Sequence, residues 1–312
     1  MSFTTIVKNE LINFESSNTE KIAELSGFVR SNMKLIDNSI ELSTENAKVA
    51  KRIYTLFKSL YGIDVLLEQR KIANFSKKKN YIITINNKVE NILGDLSVLT
   101  KDGDFIENPK EYIIDSIEDK KAYLRGTFLS RGSINDPKTS QYHLEFGFDN
   151  KHEAVLVQRL LNEFDMNSKI IIRDTKYMVY LKEAEKISDF LKLISAFQAV
   201  LYYENIRIYK DQKNKTNRLN NCEQANIDKI IETCNKELED IELIEKEVGL
   251  EILDDKLKEA CLYRKKYKEA SLTELSNIIS LETNSSITKS GLNHRFRKIK
   301  EIANRIRNDK NE

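Results

Sequence analysis

Apolar residues recur along the first two thirds of the chain in a rhythm that changes from helical to alternating and back. LSGFVRSNM (25–33) reads as helix, and MKLIDNSIELS (33–43) reads as two short alternating segments hinged at Asp37 and Asn38. Val49, Ile53, Leu56, Phe57 and Leu60 then return at three-and-four spacing, which predicts a helix over 46–60. Strand-like IDVLLEQ (63–69) and YIITIN (81–86) follow, and NKVENILGDL (87–96) closes the unit as a helix. The predicted order is helix, strand, strand, helix, strand, strand, helix.

The same order repeats from LRGTFLSRG (124–132). GSIN (132–135) and YHLEFGF (142–148) are its first strands, and 151–164 is a helix with Val155, Leu156, Leu160 and Leu161 as its apolar positions. KIIIR (169–173), YMVYL (177–181) and the helix EAEKISDFLKLI (183–194) complete it. Two copies roughly a hundred residues apart predict a pseudo-symmetric domain, since solenoids need shorter and more numerous repeats. Gly27 with Ser31, and Gly126 with Ser130, are four residues apart on one helix face, so each copy offers a helix whose backbone can approach a partner closely.

Beyond residue 205 the pattern is helical. IRIYKDQKNKTNRLNNCEQAN (206–226) reads as a solvated linker helix or loop in which Lys213, Lys215 and Arg218 are candidate accessory phosphate contacts. A long acidic helix follows over 227–248, with Ile230, Ile231, Leu238, Ile241 and Ile244 as its stripe and Gly249 as its stop; it reads as a spacer or packing element. Two short helices are predicted over 254–267 and 271–279. The second has Ser271 and Thr273 as candidate caps, Glu274 in capping-box spacing, and Leu272, Leu275, Ile278 and Ile279 inward. A longer basic helix then runs over 288–307, the layout of a helix-turn-helix domain.

At about 100° per residue from Lys289, the side chains of Leu292, Phe296, Ile299, Ala303 and Ile306 fall in one stripe between about 260° and 340°. Lys289, Ser290, Asn293, Arg297, Lys300 and Asn304 fall between about 0° and 100°, a separate polar face. Lys289, Ser290 and Asn293 suit the floor of a DNA groove, and Arg295, Arg297, Lys298 and Lys300 suit the phosphate backbone. Thr273, Thr288 and His294 complete this candidate site.

Charge sharpens the reading. The 312 residues carry a net charge of +2, yet residues 286–312 alone carry +5, while 1–100, 101–205 and 206–285 carry +3, −3 and −3. A short basic segment on a near-neutral chain is a candidate footprint for nucleic acid, and a solvated helix face is the commoner meaning of such a run. No run approaches a membrane span, and Lys8, Glu10 and Glu15 interrupt the place of a signal peptide, so a cytoplasmic protein is expected. Three cysteines without a CxxC pair and three scattered histidines argue against a disulfide framework or a metal site, and no cofactor is expected.

LSGFVRSNM and LRGTFLSRG resemble degenerate copies of the LAGLIDADG motif of homing endonucleases, whose duplicated αββαββα fold matches the predicted order. The resemblance implies an acidic residue at the eighth position of each copy, where carboxylates hold divalent metal ions between the scissile phosphates. Here those positions are Asn32 and Arg131, and the sixth positions, Arg30 and Leu129, restore nothing. An amide and a permanent cation do not make that site, so a non-enzyme is expected.

AYLRGTFLSRGSINDP (122–137), YMVYLKEAEKISDFL (177–191), NRLNNCEQAN (217–226) and SITKSGLNHRFRKIKEIA (286–303) extend the resemblance to the WhiA family of DNA-binding regulators. It covers essentially the whole chain, most loosely in the first half, and implies a nucleoid-associated transcription factor of sporulation and cell division that reads promoter DNA. The fold class expected is α+β: a duplicated LAGLIDADG-like domain (1–100 and 101–226), a linker helix (227–250) and an all-α helix-turn-helix domain (251–312). Other regulators or a second copy are further candidate partners. Two alternatives stand beside this reading: a scaffold whose duplicated domain binds protein or RNA, and an endonuclease that recruits other carboxylates, for instance Asp136 or Asp149.

Overall fold

The computed structural model describes residues 1–71, 79–100 and 102–309. Residue 101, expected to open the second repeat, and residues 310–312, expected to close the last domain, lie outside the described residues. The chain divides into two compact units, residues 1–210 and 211–312.

Unit 1 is the duplicated domain. Its first copy comprises α2 (Asn18–Arg30), β1 (Lys34–Ile36), β2 (Ser39–Thr44), α3 (Ala47–Tyr61), β3 (Leu66–Lys71), β4 (Lys79–Ile85) and α4 (Val89–Asp95). The second comprises α5 (Ile117–Arg131), β5 (Gly132–Ile134), β6 (Leu144–Phe148), α6 (Lys151–Glu163), β7 (Lys169–Arg173), β8 (Lys176–Leu181) and α7 (Ala184–Leu193). The strands form two antiparallel sheets of the same topology, β1-β2-β4-β3 and β5-β6-β8-β7. Local chemistry fixes the joints. Asp37 and Asn38 both have positive φ, the geometry of a two-residue hairpin turn, and Asn46 caps α3 while Gly62, at φ +61°, ends it.

The inward faces make one continuous core. Ile40, Leu42, Ile83 and Ile85 of the first sheet and Leu144, Phe146, Val179 and Leu181 of the second lie beneath the helices. In α6 the inward residues are Ala154, Leu156, Val157, Leu160 and Leu161, whereas Val155 is 47% exposed, one position out of phase with the expected stripe.

A helix not expected from the sequence, α1 (Phe3–Leu11), precedes both copies. Phe3, Val7 and Leu11 are buried along one side of it, and the Thr4 hydroxyl donates to the Ile134 carbonyl while accepting from the Ile134 N–H. Its Glu10 carboxylate accepts from the N–H groups of Gln198 (2.7 Å) and Ala199 (2.9 Å), the open donors at the start of α8 (Phe197–Glu247).

The boundary expected at 226/227 falls inside α8, which is one helix and not a linker followed by a second helix. Ala199 and Tyr203 belong to the core of unit 1, residues 211–229 are exposed throughout, and Cys234, Ile241 and Ile244 are buried in unit 2. The expected stripe is therefore covered only in its last part; Ile231 is 44% exposed.

Unit 2 adds α9 (Asp255–Lys266), α10 (Leu272–Thr283) and α11 (Lys289–Asp309). Its core joins Ile241 and Ile244 to Leu257, Ala260, Cys261, Leu275, Ile279, Leu292, Phe296, Ile299 and Ala303. Ser271 and Glu274 form the anticipated capping box, so Ser271 is the cap and Thr273 lies within the helix; Asn284, at φ +52°, ends it.

Candidate nucleic-acid interface and the degenerate motif site

The two motif helices pack face to face as the paired small residues predict. A Cβ added at Gly27 would stand 2.3 Å from the Tyr123 carbonyl oxygen, and one at Gly126 would stand 1.9 Å from the Glu24 carbonyl oxygen. Tyr123 and Glu24 are themselves counterparts in the two copies, so the contact is two-fold. Charged side chains flank it. Arg125 of α5 donates to Glu24 of α2 (3.0 Å), Arg52 of α3 donates to the same carboxylate, and Arg30 of α2 pairs with Glu153 of α6 (2.6 Å). All are nearly fully buried; Glu24 is shared by two guanidinium groups and Glu153 serves one, so no buried carboxylate among them stands without a cation.

The eighth-position residues point into a cleft of about 1130 Å³ at the ends of these helices, bordered by α1, β5 and the start of α3. The Asn32 amide donates to the Ser43 carbonyl (2.9 Å) and to Ser130 Oγ (3.1 Å), and its oxygen accepts from the Ser43 N–H (2.8 Å). Arg131 Nε donates to the Ser31 carbonyl, and its Nη2 pairs with Asp149 (3.2 Å). Each residue thus reaches across the axis to the seventh position of the other copy.

Divalent ions do not fit this donor set. The single neutral oxygen of Asn32 is already accepting, and a guanidinium stands where the second carboxylate would be. Asp149 is paired with Arg131 and Asp136 accepts the Lys138 N–H within its own turn. Among the described residues no three His, Cys, Asp or Glu side chains gather to hold a metal.

Lys8 of α1 also lines the cleft, its ammonium 5.6 Å from the centroid of the Phe128 ring. Burial lowers its pKa from 10.5 to about 8, against a smaller opposing effect of Glu45.

In unit 2, α11 presents the polar face that the helical angles predict. Lys289, Ser290, Asn293, His294, Arg297, Lys298 and Lys300 are exposed, while Leu292, Phe296, Ile299 and Ala303 are buried beneath them. Thr288 is exposed and caps the helix, its hydroxyl accepting from the Gly291 N–H (3.1 Å). Thr273 is exposed at the start of α10.

Arg295 stands apart. Its Nη1 pairs with Glu259 of α9 (2.6 Å) and donates to the Lys256 carbonyl, leaving its side chain 17% exposed. The reason is angular: at about 240° it borders the apolar stripe and faces α9. Lys213, Lys215 and Arg218 are all exposed on α8, but they do not share one face. Lys215 and Arg218 lie about 60° apart, and Lys213 lies about 160° from Lys215.

Sequence reasoning overlooked two cations of unit 2, Lys229 and Arg264. Arg264 is fully buried, and its Nε pairs with Glu237 (2.8 Å). An arginine among the apolar positions of a short helix was the available signal.

Fold and site define a class: a duplicated LAGLIDADG-like domain with a degenerate motif, followed by a helical unit of helix-turn-helix type. The WhiA N-terminal LAGLIDADG-like domain matches residues 18–99, the WhiA LAGLIDADG-like domain residues 120–213, and the WhiA C-terminal HTH domain residues 216–303. The chain belongs to the WhiA family. It is 44% identical to the probable cell division protein WhiA of Bacillus cereus (strain G9842), over 98% of both chains. It is 43% identical to that of Bacillus anthracis (strain CDC 684 / NRRL 3495), again over 98% of both. Full-length DUF199/WhiA from Thermatoga maritima shares the fold with a TM-score of 0.57 and 26% identity, covering 98% of this chain and 99% of that one. Among the described residues no helix is long and apolar enough to cross a membrane.

Proposed function

We propose that this chain is a sequence-specific DNA-binding transcriptional regulator that reads promoter DNA through α11 and cleaves nothing. The observation that carries the reading is the exposed polar and basic face of α11, held out by a buried stripe on its opposite side. In this reading Lys289, Ser290 and Asn293 meet base edges, and Arg297, Lys298 and Lys300 meet phosphates, with His294, Thr288 and Thr273 at the margin. Arg295 anchors α11 on α9, and Lys215 with Arg218 serve as accessory contacts, Lys213 reaching them only on another face.

Catalytic silence follows from the donor set at Asn32 and Arg131. The names of the relatives support a role in cell division, and the family resemblance adds sporulation and a place on the nucleoid in the cytoplasm. Other regulators or a second copy of the chain are candidate partners on the duplicated domain.

The test is fluorescence anisotropy with promoter-derived and scrambled duplexes at two salt concentrations, with and without magnesium. Asn293→Ala should lose about 1–3 kcal/mol and relax the sequence preference, whereas Lys300→Ala should weaken both duplexes alike and reduce the salt slope by about one. A preference that survives Asn293→Ala, Ser290→Ala and Lys289→Ala together would sink the assignment of α11, and magnesium-dependent nicking would sink catalytic silence.

A further inference from the structure

Unit 2 contains a cavity of about 310 Å³ where α8, α9 and the first turns of α10 and α11 meet. Lys229 and Thr233 of α8, Arg264 of α9, Leu272 and Thr273 of α10, and Lys289 of α11 line it. Three of these are cations, and no carboxylate is among the lining residues.

Arg264 is the telling member. Its side chain is fully buried and lies 5.4 Å from the Phe296 ring centroid. Nε donates to Glu237 and Nη1 to the Ala270 carbonyl (2.6 Å), but Nη2 is buried with no hydrogen-bond partner. A guanidinium holds its five donors in a fixed fork, so an unpartnered Nη2 on a residue that lines a cavity calls for an acceptor from that side.

The start of α10 adds donors. Its capping box engages the N–H groups of Ser271 and Glu274, and the N–H groups of Leu272 and Thr273 have no acceptor within the helix. Helix N-terminus, guanidinium and the Lys229 ammonium together match a tetrahedral oxyanion with several acceptor oxygens, and Lys289 stands at the edge of the same cavity, next to the groove.

We propose that this cavity is a phosphate-binding site, and that its occupant is a backbone phosphate of the duplex read by α11. The proposal rests on the DNA-binding reading given above. The duplex is favoured over a free phosphate ester because Lys289, the first residue of α11, belongs to the same cavity. A groove that receives the N-terminal residues of α11 carries its phosphate rail past this point. Lys229 and the α10 amides hold the phosphate from the side, and Arg264 anchors it from beneath.

The test uses the full chain and two variants: Lys229→Gln on the exposed rim, and Arg264→Lys, which keeps the charge opposite Glu237 but loses the fork. Lys229→Gln should weaken specific and scrambled duplexes alike by about tenfold, and lower the salt slope by about one. One methylphosphonate linkage should weaken the wild-type chain by a similar factor without weakening Lys229→Gln further. Wild-type affinity and slope in both variants, with sequence preference intact, overturn the site and leave the DNA-binding reading standing. A wild-type chain that binds no duplex removes that reading and the duplex as occupant. Titration with inorganic phosphate, followed at the Leu272 and Thr273 amides by NMR, separates the sources: saturation there without any effect of the neutral linkage assigns the cavity to a free phosphate-bearing molecule and overturns the duplex.

Discussion

Gly126 has no room for a single methyl group, because the Glu24 carbonyl oxygen of the opposing helix would lie 1.9 Å from it. Alanine gains about 1 kcal/mol in helix propensity, and backbone atoms on both sides cannot yield as a flexible side chain could. Gly126→Ala should therefore destabilise unit 1 by about 3 kcal/mol, seen as a lower urea midpoint. The glycines were legible in the sequence because their four-residue spacing to serine occurs twice. The bonds of Asn32 and Arg131 were not, since sequence spacing says nothing about what lies across an axis. Lys8 gives a pH signature. Its folded pKa is about 8 against 10.5 ordinarily, so between those values the unfolded chain binds more protons and stability rises with pH. Lys8→Met should be more stable than wild type at pH 7, and the difference should shrink as pH rises from about 8 toward 10.5, measured by urea denaturation at each pH. A difference independent of pH would mean that the ammonium is not desolvated.

At the scale of elements, periodicity worked where one face of a helix or strand is covered and failed where none is. The two sheets, the helices around them and the capping box of α10 all leave an apolar or capping signature. Residues 211–229 of α8 are exposed on every side, so no stripe distinguishes helix from loop there, and the sequence left both open. The short α1 escaped for another reason: its buried Phe3, Val7 and Leu11 repeat every fourth residue over only nine positions. A helical stretch without tertiary cover depends on its own weak propensity and opens locally at low cost. Limited trypsin digestion should therefore cut at Lys213, Lys215, Arg218 or Lys229 before it cuts within the buried core of either unit. First cuts inside either core would contradict this.

At the scale of the molecule, the duplication and the degenerate motif were readable because the second copy serves as an internal reference for the first. The candidate DNA face was readable because α11 is long enough for its angles to separate stripe from face. Arg264 and its cavity were not, because four elements from separated stretches of chain must come together before an unpartnered donor becomes visible. The crossed bonds of the motif site also tie the two copies to each other. Asn32 is tied to Ser130 and Arg131 to Ser31, so each eighth-position residue supports the copy opposite. A carboxylate placed at either position would remove a donor from the other half. The two copies are therefore not independent at this point, and a change written into one is felt in both.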